Sequence, residues 1–316
     1  MSRKALDLTY AELMRVHPFG TALYLPVPSS QFHPGTIGYF DSAGAWNPVG
    51  DMSTPSTLPS TLTSIDTSDL AQAPSQRQIW GPKLGIETRG RAVDLSAGIG
   101  AIPLLAATGG AVPFDVSACF RFQSAKDKGA ILLTSGPVVH ERYYHKEPFL
   151  QWMRQNARNL ATAYPEVKNH GVWIVTSTWA AKDASVNCWK SPAKAVDVGF
   201  SATALEFGEV APKGSWLHAG SAEGWVTARS DEDNQGNVVF FYGIRFTWIP
   251  IRGEKKTRKF RGHTPSGLET LVTLENASES APGDMFEIQY EDYFEDYFER
   301  QEQELGEEDG DDDAWE

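Results

Sequence analysis

Cysteine is scarce in this 316-residue chain: only Cys119 and Cys188 occur, about seventy residues apart and outside any CxxC pair. A disulfide framework or a structural zinc site needs more thiols than that, so neither is expected, and both residues are read as buried thiols. No run of roughly 18 or more residues is continuously apolar, which excludes a transmembrane helix but leaves membrane-spanning strands open. The opening MSRKALDLTYAELMRVHPFG lacks the apolar run and small-residue cleavage site of a signal peptide, so a cytosolic resting location is expected.

The common signatures of chemistry are missing too. There is no GxSxG elbow, no GxxxxGK[ST] phosphate loop and no GxGxxG between a strand and a helix. His140 and His145 in HERYYH are five residues apart, whereas a helix needs its zinc-binding histidines four apart to share a face. His17, His33, His170, His218 and His263 stand alone and read as surface or core residues. A non-enzyme with no cofactor and no metal is expected; a hydrolase would require catalytic residues scattered along the chain.

What is present is aromatic and turn-rich. Ten Trp, ten Tyr and sixteen Phe favour strands, and 28 Gly with 19 Pro imply many turns. The net charge of −13 is unevenly placed: residues 284–316 carry 16 acidic residues against Arg300 alone, leaving 27 basic and 25 acidic residues in the rest. The body is therefore near neutral and the acidity is all tail.

Residues 3 to 16 place Leu6, Tyr10, Leu13 and Met14 at helical spacing, a short amphipathic helix that either docks on the core or meets a membrane. Residues 50 to 76 are rich in Ser, Thr and Pro and read as a loop. Between Arg91 and Arg121 there is no basic residue, and glycines and prolines break an otherwise small, apolar stretch. Two strands of about ten residues around a loop are expected there, the length a tilted strand needs to cross a bilayer. The alternative is a buried hairpin of a soluble sheet. Residues 147 to 168 form the best internal helix, with Phe149, Leu150, Met153, Ala157, Leu160 and Ala161 on one face. VWIVTSTWA, SVNCWKS, AVDVGFSATA, GSWLHAG, GWVTARS and NVVFFYGIRFTWIPI then follow as short strands. The fold class expected is α+β, a twisted antiparallel sheet with flanking helices.

Past Ile251 the composition changes. Arg252, Lys255, Lys256, Arg258, Lys259 and Arg261 form a basic knot within ten positions. With Arg3, Lys4 and Arg15 of the first helix they are candidate contacts to anionic lipid, each exposed cation near such a surface gaining on the order of 1 kcal/mol. In FEIQYEDYFEDYFER, residues Phe286, Tyr290, Tyr293, Phe294 and Tyr297 recur at helical spacing, which predicts a helix with one aromatic and one acidic face. Such a tail is suited to masking a basic, membrane-facing surface. Nucleic acid is not an expected partner, because the tail repels phosphate.

Taken in order, LYLPVPSSQF, IGYFDSAGAW, the weakly charged region 91–135, the helix around Phe149 to Tyr164, GVWIVTSTWAAKDASVNCW and VVFFYGIRFTWIP resemble the amino-terminal pore-forming domain of gasdermins, most closely the fungal members. The resemblance covers about 1–251 and lies in element order and short patterns. It implies a pore-forming domain at 1–251, a basic segment and linker at 252–283, and an autoinhibitory tail at 284–316. It also implies regulated cell death through a homo-oligomeric pore in a plasma or other cellular membrane, triggered by tail cleavage, oligomerisation or a partner protein. Candidate inserting residues are Leu95, Ile99, Ile102, Leu104, Val112, Phe114 and Val116 in the first hairpin. In the second, 172–206, they are Trp173, Val175, Trp179, Val186, Val198 and Phe200, with one face toward lipid and the other wetter. The chain departs from mammalian members in that only about 65 residues follow Ile251. The competing reading is a soluble β-rich binding module whose acidic tail engages a partner.

Overall fold

The architecture comes from a computed structural model, which describes residues 3–93, 116–190, 195–201, 216–219, 224–230, 236–250, 268–275 and 285–293. It is predominantly antiparallel β-sheet with few helices, an α+β arrangement. Helix α1 (Arg3–Met14) is followed by β1 (Thr21–Pro28), β2 (Thr36–Phe40), β3 (Trp46–Asp51), β4 (Gln76–Ile79), β5 (Lys83–Leu84) and β6 (Thr88–Val93). Next come β7 (Val116–Ser124), β8 (Lys128–Ser135), β9 (Pro137–Arg142), α2 (Glu147–Ala163) and the short α3 (Val167–His170). The remaining strands are β10 (Val172–Ala181), β11 (Asp183–Lys190), β12 (Ala195–Ser201), β13 (Trp216–Ala219), β14 (Trp225–Arg229), β15 (Asn237–Pro250), β16 (Leu268–Glu275) and β17 (Met285–Tyr293).

The main sheet runs β16-β17-β15-β10-β2-β3, with β1 also on β15 and β9 on β10. β15 is 14 residues long, so one of its edges holds two strands end to end: β1 against Asn237–Phe241 and β17 against Gly243–Pro250. α2 covers one face of this sheet. Its Phe149, Leu150, Met153, Ala157 and Leu160 form one cluster with Ile174, Ile244, Phe246, Ile288 and Tyr290. The helix stops at Ala163 because Pro165 has no amide hydrogen and restricts the residue before it. The Ser/Thr-rich segment 52–71 is laid across α2, where the fully buried Asn156 accepts the Thr63 amide at 2.7 Å and donates to Trp152 O at 2.9 Å.

The opposite face is closed by a second cluster in which Phe32, Phe40, Trp173, Val175 and Phe241 interlock. β10 is consequently buried along all ten residues, including Thr176, Ser177 and Thr178. In this structure both faces of 172–179, expected to divide into a lipid side and a wetter side on insertion, are buried: Trp173 and Val175 pack under the β1–β2 connection, and Trp179 packs against Trp80 and Phe240. Strand alternation was real, but both faces found apolar cover.

The aromatic stripe after 284 is corrected. Residues 285–293 form strand β17, paired residue by residue with β15 from Pro250↔Phe286 to Gly243↔Tyr293. Ile288 and Tyr290 enter the core beneath α2. Phe294 and Tyr297 lie outside the described residues.

Candidate functional site

The feature that sets this fold apart is a ribbon built from two smaller sheets. One runs β14-β11-β8-β5 and the other β13-β12-β7-β6. Each strand of the first continues in the chain into the corresponding strand of the second, so the two orders match strand for strand. They form one four-stranded antiparallel ribbon made of two long hairpins side by side, joined through the β7–β12 and β8–β11 ladders. Residues 94–115 and 202–215, which connect β6 to β7 and β12 to β13 in the chain, lie outside the described residues. Leu95, Ile99, Ile102, Leu104, Val112 and Phe114 therefore lie outside them as well.

The ribbon bends sharply where β5 passes to β6 and β7 to β8. Ala125 N donates to Glu87 O at 2.7 Å, and Gly85 N donates to Ala130 O at 2.9 Å across this elbow. Gly85 is required for the close approach, since a Cβ there would stand 3.0 Å from the Cβ atoms of both Ala130 and Leu13. Inside the bend, Phe122, Val196 and Val198 of the distal half meet Ile131, Leu133 and Trp189 of the proximal half in one buried cluster, with Phe120 against it. The register agrees: Val196 faces Phe122 and Val198 faces Phe120. Between these apolar positions Arg121 stands opposite Arg91 on one side and Asp197 on the other. The distal ribbon is thus two-sided, and its apolar side is sheathed against the proximal half.

Val186 sits on β11 within the cluster that packs under α1, while Val116 and Phe200 occupy β7 and β12, at the distal end of the ribbon. The three β10 candidates, Trp173, Val175 and Trp179, lie in the main sheet and not in the hairpins. The leg that enters the second hairpin starts at Asp183, after the chain leaves the main sheet at Lys182, where Ser135 Oγ donates to Asp183 Oδ2 at 2.7 Å.

At the elbow, the end of α1 is tied down by Ile86 N donating to Leu13 O at 2.9 Å and by His17 Nε2 on Leu84 O at 2.9 Å. Here a cleft of about 370 Å³ is lined by Arg15, Arg89, Lys126 and Lys128, against Glu12 and Glu87. Ile86, on its rim, is 58% exposed and Val16, at the end of α1, 52%. Cations and bare aliphatic side chains at one corner suit an interface between water and lipid. Of the expected cations, Arg15 is exposed at this corner; Arg3 and Lys4 are backbone members of α1; and Arg252, Lys255, Lys256, Arg258, Lys259 and Arg261 lie outside the described residues. Sequence reasoning did not single out Arg89, Lys126 and Lys128, because the elbow brings together positions up to about 110 residues apart in the chain.

Two constellations resemble catalytic pairs but are closed. His140 Nε2 lies 2.8 Å from Ser177 Oγ, yet both residues are buried and the imidazole stacks flat on Trp179 at 3.7 Å. Burial, helped by Arg142, lowers His140 to about 4, so the ring is neutral. His33 engages both nitrogens, Nδ1 with Ser29 O and Nε2 with Asp51, at 3.0 Å each. Burial pushes the Cys188 thiol up to about 12, which leaves it without nucleophilic thiolate. Among the described residues no group of three or more His, Cys, Asp or Glu is placed to hold a metal, and no helix is long and apolar enough to cross a membrane. Neither a family model nor a curated protein matches the sequence.

Proposed function

We propose that this chain perforates membranes, with a gasdermin-like amino-terminal body whose ribbon unbends at the elbow. The observation that carries this reading is the two-sidedness of the distal ribbon. Phe120, Phe122, Val196 and Val198 form an apolar side that, among the described residues, is covered by Ile131, Leu133 and Trp189 of the other half of the same ribbon. Straightening would unsheath it, and a lipid environment would then replace the lost cover. A strand of about ten residues spans a tilted crossing, and β7 alone has nine. Lipid cannot satisfy open strand edges, so inserted ribbons must close into a ring of copies; the monomer does not conduct. The basic elbow with Ile86 and Val16 is the first contact with an anionic surface, and the protein acts through this contact rather than through catalysis.

The test is dye release from anionic and from neutral liposomes. Full-length protein is compared with a chain whose hairpin ends are shortened within 99–110 and 205–212, and with the charge reversals Arg15→Glu, Arg89→Glu and Lys126→Glu combined. Release from anionic vesicles that disappears with the shortened hairpins and falls with the reversals supports the proposal. Retained release with shortened hairpins, or no release by any folded form, removes it. Activation is proposed to depend on the tail.

A further inference from the structure

The acidic tail is seated as a ligand is seated. β17 adds to the edge of β15 beside Gly243–Pro250, and among the described residues its other strand partner is β16. It presents alternate side chains to different surroundings: Ile288 and Tyr290 fill the apolar space below α2, Tyr290 lying 6.2 Å from the Phe246 ring. Its carboxylates meet two cations from separate parts of the body. Glu291 accepts from Arg245 at 3.3 Å, with the two side chains 3% and 10% exposed, and Asp292 accepts from Lys146 at the start of α2. Arg245 also reaches His170 O at 3.5 Å, beside Gly171, whose φ of 74° favours glycine and where a Cβ would stand 2.8 Å from Phe246 O. Backbone pairing with alternate side chains in pockets is how strand-addition sites recognise extended peptides, and the buried Arg245 with the more exposed Lys146 selects carboxylates.

We infer that the Gly243–Pro250 edge, with Arg245 and Lys146, is a peptide-recognition site for an extended segment of the form Ile-x-Tyr-Glu-Asp. Its occupant is the chain's own β16–β17 pair, with β17 on the edge. The hairpin is joined to β15 by residues 251–267, so a cut there severs the connection and leaves every one of these contacts in place. Peptide recognition here is independent of whether the ribbon enters a membrane.

The experiment uses full-length protein with one site-specific protease sequence placed within 254–262. After cutting, the 268–316 piece is expected to co-elute with the body in size exclusion. A fluorescently labelled synthetic peptide of residues 268–293 in excess is expected to displace it. The same peptide carrying Glu291→Gln and Asp292→Asn is expected to bind about 10- to 100-fold more weakly, as loss of hydrogen bonds between charged groups implies. Because the substitutions sit in the peptide, the body's folding is unaffected. Spontaneous loss of the piece after cutting overturns the inference. So does a retained piece that excess peptide cannot displace, which would make β17 an integral strand. Equal binding of the neutral peptide would discard the cation clamp.

Discussion

Arg245 of β15 and Glu291 of β17 form an ion pair at 3.3 Å between side chains that are almost wholly removed from water. Two charges in such a place stabilise each other, and removing one weakens the hold on the other. Glu291→Ala is expected to cost about 3–5 kcal/mol of unfolding free energy, whereas replacing both partners together by apolar residues costs much less. Urea denaturation of the single and double variants checks this, and equal losses for both would argue against a coupled pair.

A chain ending at Pro282 lacks β17. It should therefore expose the space vacated by Ile288 and Tyr290, bind a hydrophobic dye and melt at a lower temperature than the full chain. Calorimetry with dye binding reads both. Unchanged melting would mean that β17 adds nothing to the core, contrary to the burial of Ile288 and Tyr290.

Gly129 lies under the Trp189 indole, where a Cβ would come 2.2 Å from the ring. Gly129→Ala is expected to push Trp189 out of the elbow cluster and destabilise by about 1–3 kcal/mol, the usual range for overpacking. Tryptophan emission and thermal melting should move together. On the proposed function, the same variant releases dye more readily, because the sheath of the apolar side is loosened.

Histidine protonation gives opposing pH effects. His140 is lowered to about 4 by burial and then by Arg142, so between pH 6.5 and 4 the unfolded chain takes up the proton that the folded chain refuses. Stability from this residue is full above pH 6.5 and falls as pH drops through that window, by at most about 3 kcal/mol at ~1.4 kcal/mol per unit. His33 is raised by its hydrogen bond to Asp51, against burial, so its contribution is present below pH 6.5 and is lost as pH rises through its folded value. Burial would raise Asp51, but the hydrogen bonds from His33 and Ser53 outweigh it and hold the carboxyl at about 2, a contribution lost only as pH falls from about 4 toward 2. His140→Gln should flatten the loss between pH 6.5 and 4 in chemical denaturation and leave the alkaline side unaltered.

The helical spacing of 147–163 was legible because its apolar residues recur at three and four, a period no strand produces. The β-rich segments from 172 to 250 were legible for the complementary reason: β-branched and aromatic runs cut by turn residues. The tail was not, for a specific reason. Phe286, Tyr290 and Phe294 are spaced by four, which is one face of a helix and, being even, also one face of a strand. Ile288, midway between the first two, is the strand's own signal, since i, i+2, i+4 are coplanar only in a strand. The near-repeat Tyr290-Glu291-Asp292-Tyr293 and Phe294-Glu295-Asp296-Tyr297 leaves the register open as well, because a slide of four residues preserves the faces. Ile288 decides it, as that slide would put Asp292 into the buried position.

By itself, then, the sequence determined the helix at 147–163 and the strand-rich stretch from 172 to 250, though not the strand of the tail, and showed a near-neutral body with an acidic end and no long continuously apolar run. Those properties follow from local spacing and composition. Tertiary structure alone decided which strand edges meet, that β10 is covered on both faces, that the ribbon folds its apolar side inward, and that the tail completes the main sheet. Each depends on which partner a hydrophobic face or buried charge finds, and that partner lies far away in the chain: Glu291 is 46 residues from Arg245 and Asp292 is 146 from Lys146.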